Sequence, residues 1–186
     1  MRIITGKAKG ATLKTLEGTN TRPTTDRVKE SVFSILQFDI EGRTVLDLFA
    51  GSGQLGLEAL SRGAAKATFV DKSKEAIAII RENAKKTKLI DDAEIIQAEY
   101  SDFIKRTFGK QYDIVFLDPP YALGLYEPAL KDLLASGMLK ASSTIVCESD
   151  KADFFDNSAL SDSFTIEKCN KYGNTYITIL KLKRIL

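Results

Sequence analysis

The chain has 186 residues, 44% hydrophobic and 28% charged, with a formal net charge of +2. That length suits one domain with a full core, and no apolar run approaches the ~20 residues needed to span a bilayer. There is no histidine, which excludes Ser-His triads, histidine acid–base chemistry and the usual His-containing zinc sites, so no metal is expected. Cys147 and Cys169 stand alone, without CxxC spacing, and read as reduced thiols. The start Met1-Arg-Ile-Ile-Thr-Gly6 has no signal-peptide core and points to the cytosol.

In chain order, Arg2–Thr5 and Ala11–Thr15 flank the turn Gly6-Lys-Ala-Lys-Gly10 and read as a short β-hairpin. Gly18 to Thr25 reads as a loop, and Asp26 starts a helix whose apolar positions 28, 32, 35 and 36 form one face. Residues 1–37 hold seven Lys/Arg (Arg2, Lys7, Lys9, Lys14, Arg22, Arg27, Lys29) against three acids, a balance of +4. The last ten residues add +3, which leaves −5 for the body between. The first sixteen residues carry four bases and no acid. Such asymmetry attracts a phosphate backbone, so 1–42 is expected to be a nucleic-acid-binding arm and helix packed on a core spanning 43–186.

From Arg43 onward strands and helices alternate, with strands near 44–49, 66–71, 93–98, 112–118 and 143–149. Helices fall near 54–62, 73–86, 99–107 and 126–135. Continuous apolar strands with helices between them imply a parallel sheet covered on both faces. Phe164–Cys169 and Thr175–Lys181, joined at Tyr172-Gly-Asn, are expected to form a hairpin that gives the sheet an antiparallel edge strand.

Two motifs carry chemistry. In the first, the strand Thr44-Val-Leu-Asp47 runs into Leu-Phe-Ala-Gly51-Ser-Gly53-Gln-Leu-Gly56 and then a helix. Glycines let the backbone approach a ligand closely, and the helix start offers unpaired N–H groups. Asp71 follows Gly51 by 20 residues at the end of the next strand, where a carboxylate can accept both ribose hydroxyls of an adenosine cofactor. The same glycines fit the dinucleotide pattern of nicotinamide oxidoreductases, but Asp47 beside a pyrophosphate would be unfavourable. In the second motif, Asp118-Pro119-Pro120-Tyr121 ends the strand Tyr112–Leu117, because neither proline can donate to a ladder. A carboxylate, a carbonyl and an aromatic ring are thereby held at a strand's carboxyl end, the edge where open α/β sheets bind ligands.

Asp47-Leu-Phe-Ala-Gly-Ser-Gly53 resembles motif I of S-adenosylmethionine-dependent methyltransferases. The tetrad at 118–121 resembles the Asp/Asn-Pro-Pro-Tyr signature of methyltransferases that act on amino nitrogens conjugated to a planar system. With Arg2-Ile-Ile-Thr-Gly-Lys-Ala-Lys-Gly10, Arg22-Pro-Thr-Thr-Asp-Arg27 and Leu57-Glu-Ala-Leu-Ser-Arg-Gly63, the chain resembles, almost end to end, the bacterial RsmD-type guanine-N2 methyltransferases of small-subunit ribosomal RNA. The resemblance implies a class I, Rossmann-like α/β fold, with a mostly parallel seven-stranded sheet, an antiparallel C-terminal hairpin and an N-terminal hairpin/helix extension. It implies S-adenosylmethionine as cofactor, held by Asp47, Phe49, Ala50, Gly51, Gly53, Asp71, Lys72, Glu99 and Tyr100. Glu99-Tyr100 departs from the family, where a shorter acid or amide is more usual near the adenine. The implied catalytic residues are Asp118, Pro119 and Tyr121. The implied partner is ribosomal RNA in a partly assembled small subunit, contacted by Arg2, Lys7, Lys9, Lys14, Arg22 and Arg27 beside the mouth of the cofactor cleft. DNA or protein amino-methyltransferases and a non-catalytic assembly factor of the same fold are the rivals.

Overall fold

A computed structural model describes residues 1–16, 26–152 and 159–183. Arg22 and the whole loop at 18–25 lie outside these residues. Seven strands form one sheet: β1 (Thr44–Asp47), β2 (Lys66–Asp71), β3 (Ala93–Gln97), β4 (Tyr112–Leu117), β5 (Leu139–Ser149), β6 (Phe164–Tyr172) and β7 (Thr175–Leu182). Their order is β3-β2-β1-β4-β5-β7-β6. The first five run parallel, while β7 lies antiparallel to both β5 and β6. Five helices accompany them: α1 (Asp26–Ile35), α2 (Gln54–Ser61), α3 (Lys74–Lys86), α4 (Tyr100–Arg106) and α5 (Tyr126–Ala135).

The apolar faces of these helices explain the layering. One buried cluster joins the arm, α1, α2 and α3 to one face of the sheet, and a second joins α4 and α5 to the other. Parallel strands buried on both faces need such double cover. Every residue of α2 is buried, because the helix lies between the sheet and the N-terminal arm. Among the described residues no helix is long and apolar enough to cross a membrane.

The C-terminal hairpin contributes both of its strands and completes the expected seven-stranded sheet. β7 is buried along most of its length and enters between β5 and β6, whereas the largely exposed β6 forms the edge. The N-terminal segments pair as the expected hairpin: around an antiparallel bridge between Arg2 and Thr12, the N–H groups of Ile3, Gly10 and Leu13 donate to the carbonyls of Ala11, Ile3 and Met1, each at 2.9 Å. The arm's backbone is also bonded to α2. Ile4 and Thr5 donate their N–H groups to the Glu58 carboxylate at 2.8 and 3.0 Å, and Lys7 and Ala8 donate to the Ser61 carbonyl and hydroxyl at 2.8 and 3.0 Å. The approach is close enough that a Cβ on Gly6, whose φ is +88°, would lie 1.8 Å from the Ser61 carbonyl oxygen.

Lys29 needs correction. Counted among the arm's basic groups, it is fully buried on α1 and pairs with the equally buried Glu58 at 3.4 Å. Its ammonium also donates to the Arg2 carbonyl. Burial lowers its proton affinity, against the opposing pull of Glu58. Arg62 completes the cluster, 2.8 Å from Glu58 and stacked 4.8 Å from the centre of the Phe33 ring. This cation is a tether, not part of the arm's surface charge.

Candidate active site

The parallel strands end at one edge, and the chemistry-bearing residues collect there. Asp47 closes β1, with 2% of its surface exposed, and accepts the Gly56 N–H at 3.1 Å. Burial pushes its carboxyl up to about 7; neighbouring Asp71 adds to the rise and the Gly56 N–H opposes it. Ala50 bonds back to Val70, and the turn through Gly51 and Gly53 uses φ of 53° and 78° before α2 begins. Asp71, at the end of β2, accepts the Gly51 N–H at 2.9 Å and the Ser73 N–H at 2.8 Å, one on each oxygen. It therefore fastens the glycine turn to the start of α3. Each oxygen keeps a second lone pair for a ligand hydroxyl.

Asp71→Ala should weaken S-adenosylhomocysteine binding by about 1–3 kcal/mol, roughly 10- to 100-fold, because acceptor and turn fastening go together. Titration calorimetry reads this directly, and an unchanged affinity would remove Asp71 from the cofactor site. A second expectation follows from Asp47. Its folded form holds the proton more tightly than the unfolded chain, so ionisation destabilises the cofactor-free fold. That penalty is absent below the ordinary aspartate value of 3.8 and complete above about 7. Asp47→Asn, which keeps an acceptor for Gly56, should stabilise the cofactor-free protein at pH 8 by on the order of 2 kcal/mol and leave it unaffected at pH 4. Urea unfolding at the two pH values would reveal a constant difference if Asp47 stayed ionised throughout.

Half-buried Phe49 follows β1 and packs against half-buried Tyr100 at the start of α4, with ring centroids 5.3 Å apart and tilted by 46°. Lys72 and Glu99, both exposed, pair at 3.3 Å across the ends of β2 and β3. Asp47, Ala50, Gly51, Gly53 and Asp71 are thus brought together around the glycine turn. Phe49 and Tyr100 form a neighbouring aromatic wall, and Lys72 and Glu99 lie on the outer surface.

Asp118 follows β4 in sequence and is half-buried, and its carboxylate has no hydrogen-bond or ion-pair partner among the described residues. Burial, then the carboxylates of Glu148 and Asp47, hold its proton affinity well above the usual carboxylate range. Pro119 is buried. Tyr121 opens a short 3-10 turn, and its hydroxyl donates to the Glu148 carboxylate at 3.4 Å. Tyr126 donates to the Glu148 backbone carbonyl. Glu148, 6% exposed at the end of β5, is a site residue that the sequence pattern does not single out.

The arm reaches the site at one end only. Lys14 exchanges backbone bonds with the Asn83 side chain at 2.8 and 2.9 Å, and Asn83 also donates to the Ser52 carbonyl of the glycine turn at 3.0 Å. Lys7 and Ala8, with Lys9 next in the chain, are instead fastened to Ser61 at the far end of α2, away from the glycine turn, contrary to the expectation that the whole hairpin borders the cleft. Lys7, Lys14 and Arg2 pair with Asp92, Glu82 and Asp26 at 3.4, 2.9 and 3.5 Å. Exposed Lys9 and Arg27 have no ion pair among the described residues. Two clefts of about 380 and 340 Å³ open at the opposite, amino edge of the sheet, sharing Asp39, Thr144, Glu167 and Lys181. Neither includes a glycine turn or a strand-end carboxylate.

A strand-ending acid, a glycine turn, a second acid one strand over and Asp-Pro-Pro-Tyr, on this sheet order, define a class I S-adenosylmethionine-dependent methyltransferase. The family model described as Conserved hypothetical protein 95 matches residues 1–181, and the chain belongs to that family, the RsmD family. It is 40% identical over 153 residues to Ribosomal RNA small subunit methyltransferase D of Haemophilus influenzae, covering 81% of this chain and 79% of the relative. The Escherichia coli protein of the same name is 37% identical over 150 residues, covering 81% and 75%. The solved structure "Putative methyltransferase yhhF from Escherichia coli" matches with a TM-score of 0.86 and 31% identity over 98% of both chains. The chain is an rRNA methyltransferase by these relationships.

Proposed function

We propose that this protein transfers a methyl group from S-adenosylmethionine to the exocyclic N2 amine of a guanine in small-subunit ribosomal RNA. The observation that carries this reading is the half-buried Asp118 carboxylate, without a partner among the described residues, beside Tyr121 on the same sheet edge as the glycine turn. The names of the relatives support ribosomal RNA as the acceptor.

Bound S-adenosylmethionine supplies the electrophile, a methyl group on a cationic sulfur. The protein's task is orientation and charge. Guanine N2 is a poor nucleophile because its lone pair is delocalised into the ring. The Asp118 carboxylate and the Pro119 carbonyl are two acceptors for the two amine hydrogens, and a nitrogen held this way is biased toward a pyramidal form with a directed lone pair. A cation brought beside Asp47 and Asp118 would favour their ionised forms and offset the burial that raises their proton affinity. No prior deprotonation of the amine is needed, and Asp118 can take the proton that the nitrogen sheds once methylated. The Tyr121 ring stacks on a base turned out of its surroundings, worth ~1–3 kcal/mol.

The test is methylation, with labelled cofactor, of 16S RNA and small subunits from a strain lacking this gene, followed by digestion to nucleosides. Label in N2-methylguanosine is expected; label confined to another nucleoside or to protein would overturn the reading. The same experiment, run on naked RNA and on particles, compares the two as substrates, with a partly assembled particle expected to be preferred.

The arm is proposed to contact phosphates through Arg2, Lys7, Lys9, Lys14, Arg22 and Arg27. The exposed ion pairs of Lys7 and Lys14 are worth little, so phosphates can displace their partners. A Lys7/Lys9/Lys14→Ala triple variant should lower the log–log salt slope of RNA binding by about one unit per lost contact. An unchanged slope would show that RNA docks elsewhere.

A further inference from the structure

We propose that Glu148 selects guanine over adenine by accepting the ring N1–H of the base whose N2 amine Asp118 holds; this rests on the guanine-N2 reading above. The geometry begins with the strands. β4 and β5 are neighbouring parallel strands with Leu117 opposite Cys147, so the residues that follow, Asp118 and Glu148, stand side by side at the carboxyl edge. Both acids border Tyr121, whose hydroxyl donates to Glu148 at 3.4 Å and whose ring is the stacking surface proposed for the base. The main chain of Glu148 is fixed by Tyr126 and by its pairing opposite Ile177 of β7, so the carboxylate is carried on a rigid element.

The chemistry of the two purines then decides. The Watson–Crick edge of guanine presents N1–H beside the N2 amine, a row of donors. Adenine presents an N1 lone pair beside its N6 amine. A pair of adjacent carboxylates satisfies every donor of guanine, whereas adenine would turn its N1 lone pair toward one carboxylate and leave that acceptor unpaired. A site built to hydrogen-bond a substrate N–H rejects the analogue lacking it far more strongly than an apolar pocket could. Asp118 alone would hold an adenine amine as readily as a guanine amine. The second acid supplies the distinction.

2-Aminopurine probes this contact, because it keeps the N2 amine but has an N1 lone pair in place of N1–H; it also lacks O6, so the change in preference on substituting Glu148 is what assigns the effect to N1. The experiment uses the RNA methylated in the preceding test, ligated around a synthetic segment carrying either guanine or 2-aminopurine at the target. Single-turnover transfer by the parent protein should favour guanine by about 100-fold or more. Glu148→Gln, whose amide can donate to an N1 lone pair, should reduce that preference at least tenfold. Tyr121→Phe, which removes the hydroxyl bond to Glu148 but not its carboxylate, should keep the parent ratio. A parent protein that methylates both bases alike overturns the assignment even if Glu148→Gln fails to fold. An unchanged ratio in a folded Glu148→Gln variant overturns it equally, and leaves Glu148 as a support for Tyr121. If the parent protein methylates no guanine in ribosomal RNA, the guanine-N2 reading itself has failed, an outcome separate from both.

Discussion

Asp118→Ala should lower single-turnover methyl transfer by about 100-fold or more, the usual effect of losing one positioned polar group at a reacting centre. Cofactor affinity should change little, and stability should rise slightly, because the carboxylate is ionised only against burial and the neighbouring Glu148 and Asp47. That combination is diagnostic. A variant slowed by misfolding would lose stability and cofactor together. Tyr121→Phe should be mild and Tyr121→Ala severe, since stacking needs the ring and not the hydroxyl. Quenched-flow transfer into ribosomal RNA, beside a thermal melt, measures both quantities. Parent-rate transfer by Asp118→Ala would reduce the tetrad to a strand terminator.

Glu58→Ala should cost about 3–5 kcal/mol of folding stability, a large part of the ~5–15 kcal/mol typical of a domain. The carboxylate is fully buried and serves four groups: the Ile4 and Thr5 N–H groups, the Lys29 ammonium and the Arg62 guanidinium. Its loss leaves the buried Lys29 cation without its carboxylate and two backbone donors without acceptors. Glu58→Gln retains an acceptor for the arm and should fall between. The double variant Glu58→Leu/Lys29→Met should recover much of the loss, because replacing a whole buried pair is far cheaper than breaking it. Urea unfolding gives these differences. A cost below about 1 kcal/mol for Glu58→Ala would mean that the arm docks through apolar contacts alone.

The legible parts of this molecule are those written in local pattern. Strands β1 to β4 and the helices between them fall within about two residues of their expected ends, because apolar runs and glycine turns mark them. β5 begins at Leu139, four residues before the expected 143, since Lys140-Ala-Ser-Ser143 breaks the apolar run. A register shift between Tyr112 and Ile114 and a Ser143 hydroxyl bonded to the Tyr112 carbonyl at 2.6 Å accommodate that stretch. No periodicity reports such a device. Asp118 is conspicuous because two prolines follow it. Glu148 is not, because its meaning depends on which strand lies beside β5, a fact of topology. Lys29 and Glu58 were readable in principle: an acid within the otherwise apolar Leu55-Gly-Leu-Glu-Ala-Leu60 must find a partner, and Lys29 shares a helix face with Val32 and Phe33. Their pairing across 29 residues still required the arm's path over α2, which charge counting misread as a surface patch.

Asn83 has a thermodynamic consequence. One buried side chain holds Lys14 of the arm and Ser52 of the glycine turn at once, with bonds of 2.8 to 3.0 Å. Ordering of either end therefore lowers the entropy left to be lost at the other. Whatever factor RNA engagement contributes to cofactor affinity, cofactor must return to RNA affinity, because a coupling free energy belongs to both equilibria alike. If RNA engages the arm, substituting Asn83 would uncouple the two loading events without touching either ligand.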